Sequence, residues 1–181
     1  MRKKILFLAG MMACSSLAGA QEISKTWVAD KGNGTYQNPV LHADYSDPDI
    51  CAAGDDFYMT ASSFNCIPGI PILHSNDLVN WSLVNYALPV QEPEPFFDKA
   101  QHGKGVWAPA IRFHNGEFYI YWGDPDYGIY MIKTKDPKGK WSKPVLVKAG
   151  KGMIDATPLW DEDGKVYLIH AYAGSRSGVN S

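Results

Sequence analysis

Residues 109–119 read PAIRFHNGEFY, and residues 48–58 (PDICAAGDDFY) and 158–167 (PLWDEDGKVY) follow the same plan. In each stretch an apolar residue lies eight positions before a tyrosine, and a turn rich in Asp, Asn or Gly separates them. Apolar runs on either side of such a turn predict a β-hairpin. The chain therefore repeats one hairpin unit three times. The apolar anchors are Ile50, Ile111 and Leu159, and the tyrosines are Tyr58, Tyr119 and Tyr167.

The first two units also share a second half. In both, an aspartate is followed four or five positions later by a Trp-Ser pair, as Asp77 is by Trp81 and Asp136 is by Trp141. Units of about four strands, repeated at this spacing, favour a β-propeller, whereas a Greek-key sandwich does not explain the repeat. Residues 78–88 fit a short helix or a strand. Other short apolar runs predict strands at 57–61, 118–122, 128–133 and 166–171.

The composition fits turn-rich β structure and excludes several classes of protein. Of the 181 residues, 45% are hydrophobic and 20% are charged, which is too little charge for a disordered chain or a long coiled coil. The 17 glycines, the 12 prolines and an aromatic share of 13% favour turns and aromatic pockets over a helical bundle. Nucleic-acid-binding proteins usually show a basic stripe, and the net charge of −2 does not suggest one. No nucleic-acid partner is therefore expected.

The start of the chain predicts export. A basic start at 2–4, an apolar run at 5–13 and the small residues at 18–20 are typical of a secretory signal peptide. Alternatively, Cys14 ends a lipoprotein-like box and carries a lipid anchor. Both interpretations place the protein in the periplasm, outside the cell or on the outer surface, without a membrane span. The expected organisation is a signal peptide at 1–20, a leader segment at 21–35 and a partial propeller domain at 36–181.

Cys51 and Cys66 remain after removal of the leader. An oxidising compartment permits a disulfide between them, but two cysteines do not make a disulfide scaffold. We expect both to be small, buried apolar residues. No spacing typical of a metal site occurs, so no metal ligand is predicted.

The repeat also predicts which residues meet in space. The first strand of each propeller blade lines the central channel, so matched positions on these strands come together. Counted back from the anchors, Asp47, Trp107 and Asp155 fall at near-equivalent positions. Two carboxylates beside an aromatic wall are typical of a site that cleaves sugars. The alternative is that both aspartates only start or cap turns. Four neighbouring aspartates are expected to be turn residues: Asp44, Asp49, Asp55 and Asp56.

Several motifs in this chain resemble those of glycoside hydrolase family 43, which contains β-xylosidases and α-L-arabinofuranosidases. They occur in the order of that family and span residues 36–175. The motifs are NPVL at 38–41, SDPDIC at 46–51, SSF at 62–64, IPGI at 67–70, DLVNW at 77–81, WAP at 107–109 and ID at 154–155.

The resemblance implies a five-bladed β-propeller that hydrolyses xylan- or arabinan-derived saccharides with inversion. Asp47 matches the general base that activates water. Asp155 matches the carboxylate that raises the pKa of the general acid and helps orient it. Phe64 and Trp107 match aromatic residues that line the sugar pocket. No cofactor is implied, although family members often hold a structural calcium through a histidine that would lie beyond this chain.

The resemblance also leaves one catalytic group unassigned. The family's general acid is a glutamate in a Glu-Gly-Pro-like motif, and no glutamate here lies in one. Five units of about 50–60 residues need roughly 250–300 residues, so this chain is interpreted as about two and a half blades of an exported pentosidase, nearly inactive alone. The main alternative is a non-catalytic carbohydrate-binding propeller. His74 is expected to be structural, and His170 and Arg176 are candidate contacts at the pocket rim.

Overall fold

The computed structural model describes residues 26–178 and is built almost entirely of antiparallel β-sheet. Two four-stranded sheets and one hairpin follow each other along the chain, as expected for two and a half propeller blades. Blade 1 consists of β1 (Asp49–Ala53), β2 (Asp56–Thr60), β3 (Gly69–Ser75) and β4 (Ser82–Leu88). Blade 2 consists of β5 (Trp107–His114), β6 (Glu117–Asp124), β7 (Gly128–Thr134) and β8 (Val145–Ala149). The half-blade consists of β9 (Met153–Trp160) and β10 (Val166–Tyr172), and two helical turns are α1 (Glu94–Phe97) and α2 (Gly174–Ser177).

The predicted strands are confirmed, and residues 82–88 of the ambiguous segment form a strand. The tryptophans of the repeat have the same local role in both complete blades. Trp81 Nε1 donates to the Leu78 carbonyl oxygen at 3.0 Å, and Trp141 Nε1 donates to the Pro137 carbonyl oxygen at 3.3 Å. Each indole thus closes the turn that precedes it, which explains why Trp recurs at this point of the unit.

The three hairpins differ in the length of their turns. Two residues connect β1 to β2 and β5 to β6, whereas five residues connect β9 to β10. At the β5–β6 turn, Asn115 (φ 49°) and Gly116 (φ 78°) both adopt the left-handed conformation that a tight hairpin requires. Consequently Tyr119 pairs with Arg112, one residue after its anchor, whereas Tyr167 pairs with its anchor Leu159 itself. The third unit is therefore shifted by one residue relative to the first two.

The main core lies between blades 1 and 2. Ile70 and Ile72 of β3 and Ile111 and Ile120 of β5–β6 are fully buried in one cluster with Trp122. Burial of each such side chain contributes about 1.5–3 kcal/mol to folding. A second cluster joins blade 2 to the half-blade through Tyr121, Ile129, Met153 and Ala156. As a result, β5 packs between β1 and β9, and the first strands of successive units lie side by side.

Neither cysteine is fully buried, so the prediction that both are buried is wrong. Cys66 is exposed in the loop before β3, whereas Cys51 is half-buried in β1. Burial raises the pKa of the Cys51 thiol to about 12. Neither cysteine forms a disulfide, which was the alternative.

The described part of the leader segment contacts blade 1 through Asp30, whose Oδ2 accepts a hydrogen bond from Asn80 Nδ2, between β3 and β4, at 2.9 Å. Trp27 Nε1 donates to the Pro39 carbonyl oxygen at 2.8 Å, and Asp30 forms an isolated β-bridge with Tyr36. Within residues 26–178, no helix has the length and apolar character needed to cross a membrane. The predicted signal peptide at 1–20 and the alternative lipid site at Cys14 lie outside the described residues.

Candidate active site

Three matched segments surround one open pocket of about 260 Å³. The first segment leads into β1 and the other two lie within β5 and β9, so the pocket forms where these three first strands come together. The arrangement follows from the repeat, because the same backbone conformation recurs at the matched point of all three units. The segments are 47–49 (Asp-Pro-Asp), 108–110 (Ala-Pro-Ala) and 155–157 (Asp-Ala-Thr), and Arg112 completes the lining.

The first residue of each segment has a left-handed backbone. The φ angles are 50° at Asp47, 38° at Ala108 and 53° at Asp155. Residues with a Cβ avoid this region because it brings Cβ close to the backbone, at a cost of about 1–2 kcal/mol. Its recurrence at three places identifies structurally equivalent positions. Asp47 and Asp155 therefore occupy the same position in units 1 and 3, whereas the equivalent position in unit 2 is Ala108, one residue after the predicted Trp107.

The carboxylate of Asp47 is exposed to the pocket and is held by two hydroxyl groups. Ser62 Oγ donates to Asp47 Oδ2 at 2.7 Å, and Ser46 Oγ donates to the same oxygen at 3.0 Å. Ser62 Oγ in turn accepts a hydrogen bond from the Ala108 N–H at 2.8 Å. Asp47 is thus oriented by its own blade and, through Ser62, by blade 2.

Asp155 is also exposed in the pocket, but its carboxylate is not held in the same way. Among residues 26–178, no group donates a hydrogen bond to it. Its backbone is fixed because the adjacent Ala156 is fully buried in the cluster between blade 2 and the half-blade. The structure therefore brings the two predicted carboxylates to one pocket with different surroundings.

Asp49 is a third carboxylate of the pocket, and its prediction as a turn residue is wrong. It is the first residue of β1, and its Oδ2 accepts a hydrogen bond from the Ile111 N–H at 2.8 Å and pairs with Arg112 Nη1. Arg112 Nη2 also donates to Thr157 Oγ1 at 2.9 Å. Arg112 therefore joins all three units beneath the pocket. The only signal for it in the sequence is the presence of an arginine next to the anchor of the second unit.

Phe64 and Trp107 contact each other beside the pocket. Their ring centroids are 6.0 Å apart and their planes are inclined by 77°. The contact depends on Gly105, because a Cβ there would lie 2.2 Å from the Ser63 carbonyl oxygen, where blade 1 and the entry to blade 2 form a β-bridge. Both rings are half-buried, and Trp107 directly precedes Ala108. Neither ring lines the pocket that holds the two carboxylates.

The other candidates lie away from this pocket. His74 Nε2 pairs with Asp56 Oδ1 at 2.5 Å and its ring packs against Tyr58, which is a structural role. Arg176 donates to Asp126 Oδ1 at 2.6 Å, and His170 is half-buried on β10. Neither of these two residues lines the pocket.

A buried acid lies at the end of β6, in a small cleft that Trp107 also lines. Asp124 is 3% exposed and accepts hydrogen bonds from the backbone N–H groups of Asp126 and Tyr127. Burial raises its pKa to about 6, and the two backbone donors offset part of that increase.

Within the described residues, no group of three or more His, Cys, Asp or Glu side chains is arranged to hold a metal ion. The structural calcium that the resemblance implies stays a prediction.

Residues 36–181 match the family described as "Glycosyl hydrolases family 43". The chain belongs to this family. A family 43 relative, the "Beta-xylosidase" of Formosa agariphila, is 36% identical over 98% of this chain and 32% of its own length. The "Non-reducing end alpha-L-arabinofuranosidase BoGH43B" of Bacteroides ovatus is 38% identical over 75% of this chain and 26% of its own length.

A solved structure supports the same family 43 assignment. The GH43 BlXynB protein from Bacillus licheniformis is 34% identical and superposes with a TM-score of 0.65 over 75% of this chain and 29% of that one. The predicted family and the predicted all-β propeller fold are therefore confirmed. The chain spans about a third or less of the length of the relatives that it matches.

Proposed function

We propose that the protein hydrolyses glycosidic bonds in xylan- or arabinan-derived saccharides with inversion, using Asp47 as the general base. The observation that carries the proposal is the pair of exposed carboxylates, Asp47 and Asp155, at equivalent left-handed positions around one pocket. The names of the relatives, a β-xylosidase and an α-L-arabinofuranosidase, supply the substrate class.

The proposed reaction needs three carboxyl groups with different roles. A water molecule gives a proton to Asp47 as its oxygen bonds to the anomeric carbon, from the face opposite the leaving group. The bond to the leaving oxygen breaks, and that oxygen takes a proton from a carboxylic acid. The negative charge of Asp155 raises the pKa of this acid, so that the acid stays protonated near neutral pH.

The acid itself is proposed to come from outside residues 26–178. No glutamate lines the pocket among these residues. Asp49 does line it, but its Oδ2 pairs with the positively charged Arg112 and accepts from the Ile111 N–H, so we assign Asp49 to holding the units together. We expect the chain of residues 21–181 alone to turn over neither aryl xylosides nor aryl arabinofuranosides.

Hydrolysis by the purified full-length protein tests the proposal. We expect release of nitrophenol from a β-xyloside or an α-L-arabinofuranoside, with the inverted anomer as the first product by NMR. Asp47→Ala should abolish turnover. Asp44→Ala is the matched control, because Asp44 is an exposed aspartate of the same loop that does not line the pocket. Turnover that persists in Asp47→Ala, or a retained anomeric configuration, contradicts the proposal.

A non-catalytic carbohydrate-binding propeller is the second candidate function. The absence of a free third carboxyl group from the pocket, among the described residues, favours it. Calorimetry with xylo- and arabino-oligosaccharides separates the two. Binding without turnover in the full-length protein indicates a binding module, and turnover indicates the enzyme.

We also propose that the protein is exported. The mass of the mature N-terminus distinguishes the two expected routes. Cleavage after Ala20 indicates an ordinary signal peptide, and a lipid-modified Cys14 indicates a lipoprotein. An uncleaved N-terminus contradicts export by either route.

A further inference from the structure

The hydroxyl group of Ser62 lies between the two halves of the pocket. Its oxygen is 2.8 Å from the backbone nitrogen of Ala108 and 2.7 Å from Asp47 Oδ2. A backbone N–H can only donate, so Ser62 Oγ accepts from Ala108. The carboxylate can only accept, so the single proton of the hydroxyl is directed to Asp47. The direction of both hydrogen bonds is thus fixed by chemistry.

Ser62 is itself held in place by the backbone around it. Its N–H donates to the Ser46 carbonyl oxygen at 2.9 Å, which ties it to the loop that carries Asp47. The next residue, Ser63, exchanges two backbone hydrogen bonds with Val106 of blade 2, at 3.0 and 3.2 Å. The preceding Ala61 is fully buried. The position of the Ser62 hydroxyl is therefore fixed before it donates to Asp47. Ser46 is the direct neighbour of Asp47 in the chain, and its hydroxyl donates over a longer distance of 3.0 Å.

Both hydroxyl groups bind the same oxygen of Asp47. Among residues 26–178, no donor is bonded to the other oxygen, Oδ1. A general base needs this asymmetry, because one oxygen must be fixed while the other stays open to a water molecule. The exposed position of Asp47 in the pocket leaves room for that water.

We infer that Ser62 is a positioning residue that orients the Asp47 carboxylate through a relay from the Ala108 N–H of blade 2. The inference rests on the proposed function, in which Asp47 is the base. Without the relay only the Ser46 hydroxyl still holds the carboxylate, so the carboxylate shifts and its open oxygen is displaced from the attacking water. A displacement of about 1 Å costs about 100-fold in rate. The loss should fall on kcat, because Ser62 does not line the pocket.

Kinetics of the full-length protein test the inference. Ser62→Ala should lower kcat by about 10–100-fold, with KM changed by about twofold at most. Ser63→Ala is the matched control. It removes a neighbouring hydroxyl that accepts from the Ile70 N–H at 3.0 Å and does not contact Asp47. Ser63→Ala should keep the kcat and KM of the parent protein.

A second pair of variants keeps the test valid if Ser62→Ala does not fold. Thr and Val have nearly the same shape, but only Thr retains the hydroxyl. Ser62→Thr should therefore exceed Ser62→Val in kcat by about tenfold or more. Equal kcat values for Thr and Val, or a Ser62→Ala variant with parental kcat, overturn the inference while Asp47→Ala remains inactive. Turnover by Asp47→Ala instead overturns the proposed function itself, so the two failures are distinguishable.

Discussion

Asp47 and Asp155 have the same backbone conformation at the same pocket, yet their carboxylates are supported differently. Asp47 receives hydrogen bonds from two serine hydroxyls, and Asp155 receives none from the described residues. The difference fits their proposed roles. A base must point one oxygen at a water molecule within a fraction of an ångström. A carboxylate that acts by its charge works through space, so its orientation matters much less.

The third equivalent position, Ala108, extends this lesson. It keeps the left-handed conformation but has no polar side chain, and its backbone N–H contributes to the relay toward Asp47. The repeated backbone thus provides one scaffold with three uses: a fixed carboxylate, a free carboxylate and a backbone donor. The residue at each position sets whether a carboxylate is present, and the hydroxyl groups of Ser46 and Ser62 hold only that of Asp47.

Replacing each aspartate with asparagine should separate the two roles most strongly. Asp47→Asn keeps the shape and should lower kcat by about 10²–10⁴-fold, because the base is lost. Asp155→Asn should cost less, about tenfold, and move the basic limb of the pH profile to lower pH, because the acid loses the charge that raises its pKa. pH profiles of kcat/KM for both variants measure this. Equal losses, with no movement of the basic limb in Asp155→Asn, contradict the assignment.

Asp124 contrasts with the two exposed carboxylates because it is buried. Its folded-state pKa of about 6 lies above the reference value of 3.8, so the folded state binds the proton more tightly. The resulting stabilisation is complete below pH 4 and is lost as pH rises toward 6. Asp124→Asn removes this dependence and should raise the free energy of unfolding at pH 7 by up to about 3 kcal/mol. Urea unfolding at pH 4 and pH 7 measures the effect.

The gain in stability of Asp124→Asn should be present at pH 7 and nearly absent at pH 4. At pH 4 the Asn variant and the parent protein should have nearly equal stability, since Asp124 is then largely protonated in the folded state. Asp126→Asn is the matched control, because Asp126 is more exposed and binds Arg176 and Lys104. It should not gain stability at pH 7. A stability difference that is the same at both pH values would show that Asp124 does not titrate in this range.

Arg112 holds together the units that carry Asp47 and Asp155. Arg112→Met keeps the length of the side chain but breaks the pair with Asp49 and the bond to Thr157. Because both partners are about one-third exposed, we expect a loss of about 1–3 kcal/mol rather than the larger cost of a fully buried pair. Lys165→Met is the control, since the Lys165–Asp163 pair is on the surface and should hardly matter. The midpoint of urea unfolding measures both losses. Equal shifts of this midpoint for Arg112→Met and Lys165→Met contradict the role of Arg112.

Much of the fold could be predicted from local sequence signals. Turn residues and alternating apolar residues marked the strands, and Trp81 and Trp141 marked matched turns. The third unit was placed one residue off, because the spacing between anchor and tyrosine does not report the length of the turn. Five residues connect Trp160 to Val166, and only the pairing in the sheet reveals that Pro158 is the equivalent of Ile111.

The surroundings of the site could be predicted only in part. Asp47 and Asp155 could be predicted because they lie in the motifs SDPDIC at 46–51 and ID at 154–155. Asp49 was misread, because Asp-Pro-Asp resembles a turn and its partner Arg112 lies 63 residues away. Ser62 lies in the SSF motif at 62–64, but nothing in that motif marked it as a partner of Asp47, since its contacts to Asp47 and Ala108 span 15 and 46 residues. Such pairs arise from the packing of blades, which no local pattern encodes.

The smallest expected effect tests the equivalence of the three left-handed positions. Ala108→Gly removes the Cβ penalty of about 1–2 kcal/mol and adds a backbone-entropy cost of about 0.5–1 kcal/mol. The variant should therefore unfold at slightly higher urea concentration, with a gain of up to about 1 kcal/mol. Ala110→Gly is the matched control, because Ala110 lies in the same strand with an ordinary φ and should lose stability. If Ala108→Gly loses as much as Ala110→Gly, position 108 does not share the backbone conformation of Asp47 and Asp155.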